Sequence, residues 1–248
     1  MLRDRVILWV NTASLDAAIM VARDMRSCTR TISVGPNFFL ANGPSGVRCF
    51  YELGIYDVLL DLRLAGSPKE IWQCVIAAAE LGAKAITISA FAGQQNIKYA
   101  IEAAEASKAI THKIARPKIL LSTLPVCITD ADMIDELGMR LRRPGHVELI
   151  AQSIVDTEAD GIVIDYDDIK YVKRVNRKLP FLVYSQRRAR NYLETESRVE
   201  KGKAGITEII KAGASHVIFD SEFVSRTNVE WAADMITKEV EAIKGRKR

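Results

Sequence analysis

The feature that most constrains this chain is a regular alternation, in which short β-rich apolar runs and longer stretches of helical periodicity succeed one another from end to end. Parallel strands cannot be joined by a tight turn and need a crossover, so this pattern implies repeated βα units around a parallel sheet. Strands are expected near Val6–Val10, Thr31–Val34, Val58–Asp61, Ala85–Ser89, Lys118–Ser122, Gly161–Asp165, Pro180–Val183 and His216–Phe219. Apolar residues three and four apart predict core-facing helices over Leu15–Arg26, Lys69–Leu81, Asn96–Ile110 and Val229–Ile243. Eight strands in 248 residues fit a single α/β domain of the (β/α)8 TIM-barrel class, covering 1–248 and ending in a basic tail, 244–248. One junction pattern recurs at Leu81–Ile88, Glu158–Ile164 and Ala212–Ile218, and in two of these a glycine, Gly82 or Gly213, can close a helix in the left-handed conformation.

Apolar residues make up 48% of the chain, enough for one sizeable core, yet no apolar run reaches the ~18 residues of a membrane span. The start, Met1-Leu2-Arg3-Asp4-Arg5, leads into only a short apolar run without a small-residue cleavage pattern, which argues against a secretory signal. Cys28, Cys49, Cys74 and Cys127 are widely spaced and form no Cys-x-x-Cys pair, so a reducing cytoplasm is expected, without a disulfide framework or zinc site. The net charge of +4 is mild, and its basic excess is local: Arg140–Arg143, Arg187–Arg190 and Lys244–Arg248. Such clusters read as solvated surface, against a nucleic-acid partner. Two stretches, Thr123–His146 with a short helix at Asp130–Leu137, and Tyr184–Lys203, follow strands and read as binding loops.

In a barrel the functional positions are the C-terminal strand ends. These are Asn11, Ser33, Asp61 with Arg63, Ser89, Thr123, Asp165, Tyr184 and Asp220, a polar set without histidine, cysteine or lysine. Asp61 and Arg63 are two residues apart on one strand, so alternation places them on the same side. His112, His146 and His216 fall at a helix end, a loop end and a strand start, and none is expected to act as a general base. Asp61, Asp165 and Asp220 end separate strands and have the oxygen chemistry of a hard-cation site. In Gly35-Pro36-Asn37-Phe38-Phe39-Leu40 the proline and aromatics do not suit a phosphate cradle.

The stretch Val58-Leu59-Leu60-Asp61-Leu62-Arg63-Leu64-Ala65-Gly66-Ser67-Pro68 resembles the signature of the orotidine 5'-monophosphate decarboxylase family, Asp-x-Lys-x-x-Asp-Ile-Pro-Asn. Asp61 and Pro68 match, Arg63 stands at the catalytic lysine and Gly66 at the second aspartate. The resemblance extends over nearly the whole chain. Arg5–Asn11 is similar to the opening strand, with Asn11 at a substrate-binding aspartate; Thr31–Pro36 to the second, with Ser33 at a lysine; and Ala77–Phe91 to the third helix and fourth strand, with Ser89 at a histidine. Ser185-Gln186 replaces a Pro-Gly turn, and Phe219-Asp220-Ser221 replaces the Val-Gly-Arg whose arginine grips the substrate phosphate.

The family's chemistry needs an alternating Lys-Asp-Lys-Asp array, of which only Asp61 is unchanged. The resemblance therefore implies a pseudoenzyme-like homologue of a pyrimidine-biosynthesis lyase, with Asp61 and Arg63 as what remains of the catalytic pair and no efficient decarboxylation of orotidine 5'-monophosphate. A small anionic ligand, a nucleotide or sugar phosphate, would meet Asn11, Ser33, Ser89, Thr123, Tyr184, Gln186, Arg187, Arg188, Asp220 and Ser221, with Arg190 nearby. Related keto-gulonate-phosphate decarboxylases hold magnesium with a glutamate after strand two; Ser33 stands there, and neither metal nor cofactor is expected. A homodimer is implied by the family, although its shared aspartate is Gly66. The alternatives are a carbon–carbon lyase, decarboxylase or aldolase, of altered substrate, and a structural or RNA-binding subunit.

Overall fold

A computed structural model describes residues 5–55, 57–110, 115–125, 127–177, 182–187 and 206–220, with backbone only at 110, 182–187, 206–207 and 220. Arg188, Arg190, Ser221, His112, the predicted helix Val229–Ile243 and the tail 244–248 lie outside the described residues. The chain is α/β, its parallel strands alternating with helices: β1 Val6–Val10, α1 Leu15–Asp24, β2 Thr31–Val34, α2 Pro36–Glu52, β3 Asp57–Leu64, α3 Pro68–Leu81, β4 Ala85–Ser89, α4 Gln94–Ile110, β5 Lys118–Ser122, α5 Arg143–Thr157, β6 Gly161–Asp165, α6 Ile169–Val175, β7 Leu182–Arg187, α7 Ile206–Ala212 and β8 His216–Asp220. It divides into two units, Met1–Leu62 with Gln186–Arg248, and Arg63–Ser185. No helix among the described residues is long and apolar enough to cross a membrane.

In the first unit β8, β1, β2 and β3 lie side by side in parallel, with Trp9 opposite both Asp220 and Ser33, and Ser33 opposite Leu59. Val6, Ile7, Leu8 and Val10 are all buried, the near-continuous burial of a parallel strand covered on both faces. The start of β1 is anchored by Arg5, whose Nε and Nη2 donate to the carbonyls of Ser215 and Ala214 at 2.6 and 2.7 Å. α1 starts under a Ser14 cap and packs on α2.

α2 is an element that the apolar spacing did not reveal. Gly43 breaks it with φ 58°, and Pro44 restarts it, because a proline ring locks φ for a first turn but cannot donate to the preceding one. Phe38 and Phe50, one from each half, pack with ring centroids 5.3 Å apart, so the kinked helix shares one apolar seam.

In the second unit β4, β5 and β6 are parallel, with Ser89 opposite Ser122 and Ser122 opposite Val163. α3 opens with a full capping box, in which Ser67 and Glu70 satisfy each other's backbone amides. It packs on α4, and α5 packs on α6. Gly82 closes α3 at φ 88°, and Gly213 follows α7 at φ 116°, as the repeated junction predicts. At the third junction Glu158 takes the same left-handed position at φ 61°.

Three expectations are revised. The segment after β5 is not a loop through His146: a π-helical turn at Asp132–Glu136 leads to α5, which begins at Arg143 and places His146 in its first turn. Tyr184, Gln186 and Arg187 belong to strand β7 rather than to a loop. β3 continues to Leu64, but Arg63 has φ 50°, so the extended geometry that would put it on the side of Asp61 is interrupted at that residue.

Candidate functional site

In the first unit the C-terminal strand edge gathers Asn11, Ser33 and Asp61 on adjacent strands, with Asp220 ending β8. Asp61 is two residues beyond Leu59, the register partner of Ser33, so the two share a sheet face. Asp61 and Ser33 are both fully buried. Asn11 has a different employment. Its Oδ1 accepts from the Asn37 amide at 2.9 Å, and its carbonyl accepts from Asn37 Nδ2 at 2.8 Å. The Gly35 cap of α2 has no side chain to offer, so Asn11 supplies the acceptor from the end of β1. Gly35 permits this approach, since a Cβ there would sit 2.3 Å from Asn11 Oδ1.

Two polar atoms of this face are buried without a hydrogen-bond partner, Ser33 Oγ and Trp9 Nε1. Their residues are opposite one another in register, about 4.8 Å apart between strands. Sequence reasoning found the serine and missed the tryptophan, which reads as core in an apolar run. The indole is donor only and the hydroxyl donor or acceptor, so both can donate to one acceptor group.

In the second unit Arg63, Ser89, Thr123 and Asp165 occupy the corresponding strand ends. Arg63 holds its left-handed backbone while its amide donates to Thr87 Oγ1 at 2.8 Å, and Thr87 is fully buried on β4. A non-glycine residue there carries roughly 1–2 kcal/mol of strain, stored beside a residue type suited to clamping anions. Ser89 accepts from the Phe91 amide at 3.3 Å, capping a 3₁₀ turn, and Thr123 Oγ1 donates to the Val163 carbonyl at 3.2 Å. Both hydroxyls therefore have local duties. Tyr184, Gln186 and Arg187 lie on β7, where the described part is the backbone.

Asp165 is the electrostatically perturbed group here. Burial pushes its carboxyl above the ordinary value; the Asp167 amide pulls it down, the Asp168 and Asp167 carboxylates push it up, and the Arg143 guanidinium opposes them. Asp168 is nearly fully buried and takes a forked grip from Arg143, whose Nε lies 3.0 Å and Nη2 2.6 Å from Oδ2. The same guanidinium donates to the Leu124 and Pro125 carbonyls, both at 3.1 Å. What reads in sequence as one of a cluster of surface arginines is thus a strut joining the segment after β5 to the turn after β6. The only sequence signal was the acidic run Asp165-Tyr166-Asp167-Asp168. Among the described residues no three His, Cys, Asp or Glu side chains are grouped to hold a metal ion.

No family model matches the chain. It is 27% identical over 209 residues to the orotidine 5'-phosphate decarboxylase of Lactobacillus gasseri, covering 84% of this chain and 86% of that protein. To the enzyme of the same name from Sphingopyxis alaskensis it is 24% identical over 237 residues, covering 96% and 97%. Its fold matches the crystal structure of orotidine 5'-phosphate decarboxylase from Lactobacillus acidophilus with a TM-score of 0.77 at 21% identity, over 96% of this chain and 99% of that one. An uncharacterized conserved protein from Geobacillus kaustophilus superposes with a TM-score of 0.77 at 18% identity, over 95% and 99%. Along most of its sequence and in its fold, this chain is similar to the orotidine 5'-phosphate decarboxylases.

Proposed function

We propose that the chain forms a single closed (β/α)8 barrel that binds a small phosphorylated ligand and does not decarboxylate orotidine 5'-monophosphate efficiently. The observation that carries this reading is the employment of the Asn11 amide, at a position where the resemblance implies a charged substrate-binding group: its oxygen caps α2. Ser89, at the histidine position, caps its own turn, and Ser33, at the lysine position, is uncharged and buried. Asp61 alone is unchanged. Arg63 keeps a positive field, but a guanidinium holds its protons and is a clamp rather than a proton donor. Losing one preorganised group costs about 100-fold or more in rate, and the losses in a concerted array do not simply add.

Carbon dioxide release from orotidine 5'-monophosphate should stay at background, and calorimetry with orotidine or uridine 5'-monophosphate should detect no tight binding. Ribose 5-phosphate should bind, and more weakly to Arg63→Ala. Micromolar affinity for orotidine 5'-monophosphate accompanied by turnover would refute the reading.

A second reading, a carbon–carbon lyase of altered substrate, is favoured by Asp165, whose raised carboxyl pKa suits a group that exchanges protons. A lyase of this kind would lose its acid-side pH dependence in Asp165→Asn. A homodimer agrees with the family resemblance and a cytoplasmic location with the widely spaced cysteines, and gel filtration with light scattering tests the assembly.

A further inference from the structure

Away from the strand ends, Lys170, Lys173, Arg174 and Arg177 line an open groove of about 540 Å³. Lys170, Lys173 and Arg174, three and four residues apart, share one side of α6, and Arg177 joins them in the groove from beyond the helix, after the extended Asn176. Helix electrostatics accounts for only two of them. Lys173 and Arg174 occupy the last turn, where cations complement the dipole, but Lys170 is in the first turn, where a cation is unfavourable, and Arg177 lies beyond the helix.

Acidic neighbours do not explain the stripe either. Arg174 pairs with Glu148 at 3.1 Å, while among the described residues Lys170, Lys173 and Arg177 form no ion pair. Tyr171 holds two of the cations, with Lys170 Nζ 4.9 Å and Arg174 Cζ 5.0 Å from its ring centroid. An aromatic face steadies a cation without neutralising it, so the charges remain available to something in the groove. The volume lies within the range of small-molecule sites.

We propose that this groove binds a small, multiply charged anion of the polyphosphate class, at a site separate from the strand ends. Several adjacent negative groups match a line of cations, whereas a single phosphate reaches only one or two of them. Longer ionic polymers would engage the groove only in passing.

Calorimetry on the full chain at low salt, with inorganic tripolyphosphate as probe and inorganic phosphate as comparison, tests this. One saturable site is expected for tripolyphosphate, with phosphate at least about tenfold weaker and affinity falling steeply as salt rises. The double charge reversal Lys173→Glu with Arg177→Glu, on side chains outside the core, should weaken tripolyphosphate at least about tenfold, while Arg63→Ala leaves it unchanged. Circular dichroism should show both variants folded. Absence of binding, binding indifferent to the reversal, loss of binding in Arg63→Ala, loss on neutralising the 244–248 tail instead, or tighter binding of a single-stranded oligonucleotide than of tripolyphosphate would each overturn the proposal.

Discussion

Arg63 shows how one backbone angle separates stability from use. At φ 50° it is strained, and its amide is held by the hydroxyl of buried Thr87. Arg63→Gly should therefore raise stability by about 1 kcal/mol, because glycine enters the left-handed region freely, while weakening ribose 5-phosphate. Thr87→Val removes the acceptor and should cost about 1 kcal/mol, and Thr87→Ser should restore most of it; thermal unfolding of the three variants checks the signs. Asp165 gives a pH signature. Its folded-state pKa is raised, so between its unfolded and folded values the native state holds more proton, and stability present below the unfolded pKa falls as pH rises through the folded one. Asp165→Asn should remove that loss and melt higher than the parent at neutral pH, with the difference shrinking in acid. Neither residue's behaviour was legible in sequence: alternation presumes extended backbone throughout a strand, and nothing local to residue 165 reveals how deeply it is covered.

At the scale of elements, what declared itself was periodicity with punctuation. β1, β2, β4, β5 and β6 have the limits their apolar runs predict, and Gly82 and Gly213 take the left-handed positions their junctions require. α2 escaped because its apolar residues are split by Gly43-Pro44, so neither half shows a sustained helical spacing. α5 escaped because arginines and a proline stand at its first turn, where composition suggests a loop. β7 ran longer than foreseen because Ser185 and Gln186 are polar, and strand length follows pairing as much as hydrophobicity. Glu158 fills at the end of α5 the role that glycine fills after α3 and α7. Glu158→Gly should therefore stabilise the chain by about 1 kcal/mol, seen as a shift of the chemical denaturation midpoint with unchanged slope; a fall would mean that the glutamate side chain contributes more than its backbone costs.

Across the whole molecule, the opposite strand ends perform different work. The amino-terminal ends are locked by charge and chain: Arg5 reaches two carbonyls before β8, and Arg116 forks onto Asp160 at 2.8 and 2.7 Å while Asp160 also accepts from the Ile119 amide. The carboxyl-terminal ends hold the strained Arg63, the perturbed Asp165 and the unpartnered Ser33 hydroxyl. That polarity was foreseeable from the fold class, whereas the duties of Asn11, Ser89 and Thr123 were not, since a residue's type does not disclose which neighbour will occupy it. The burial of Ser33 limits what this edge can become. A carboxylate at position 11 would fit with little disturbance, facing the amide that Asn37 already presents. A lysine at 33 would have to force a long stem and an ammonium into space that has closed around a hydroxyl. Two neighbouring strands thus differ in what they admit: the end of β1 is open to a new charge, and β2 is shut against one.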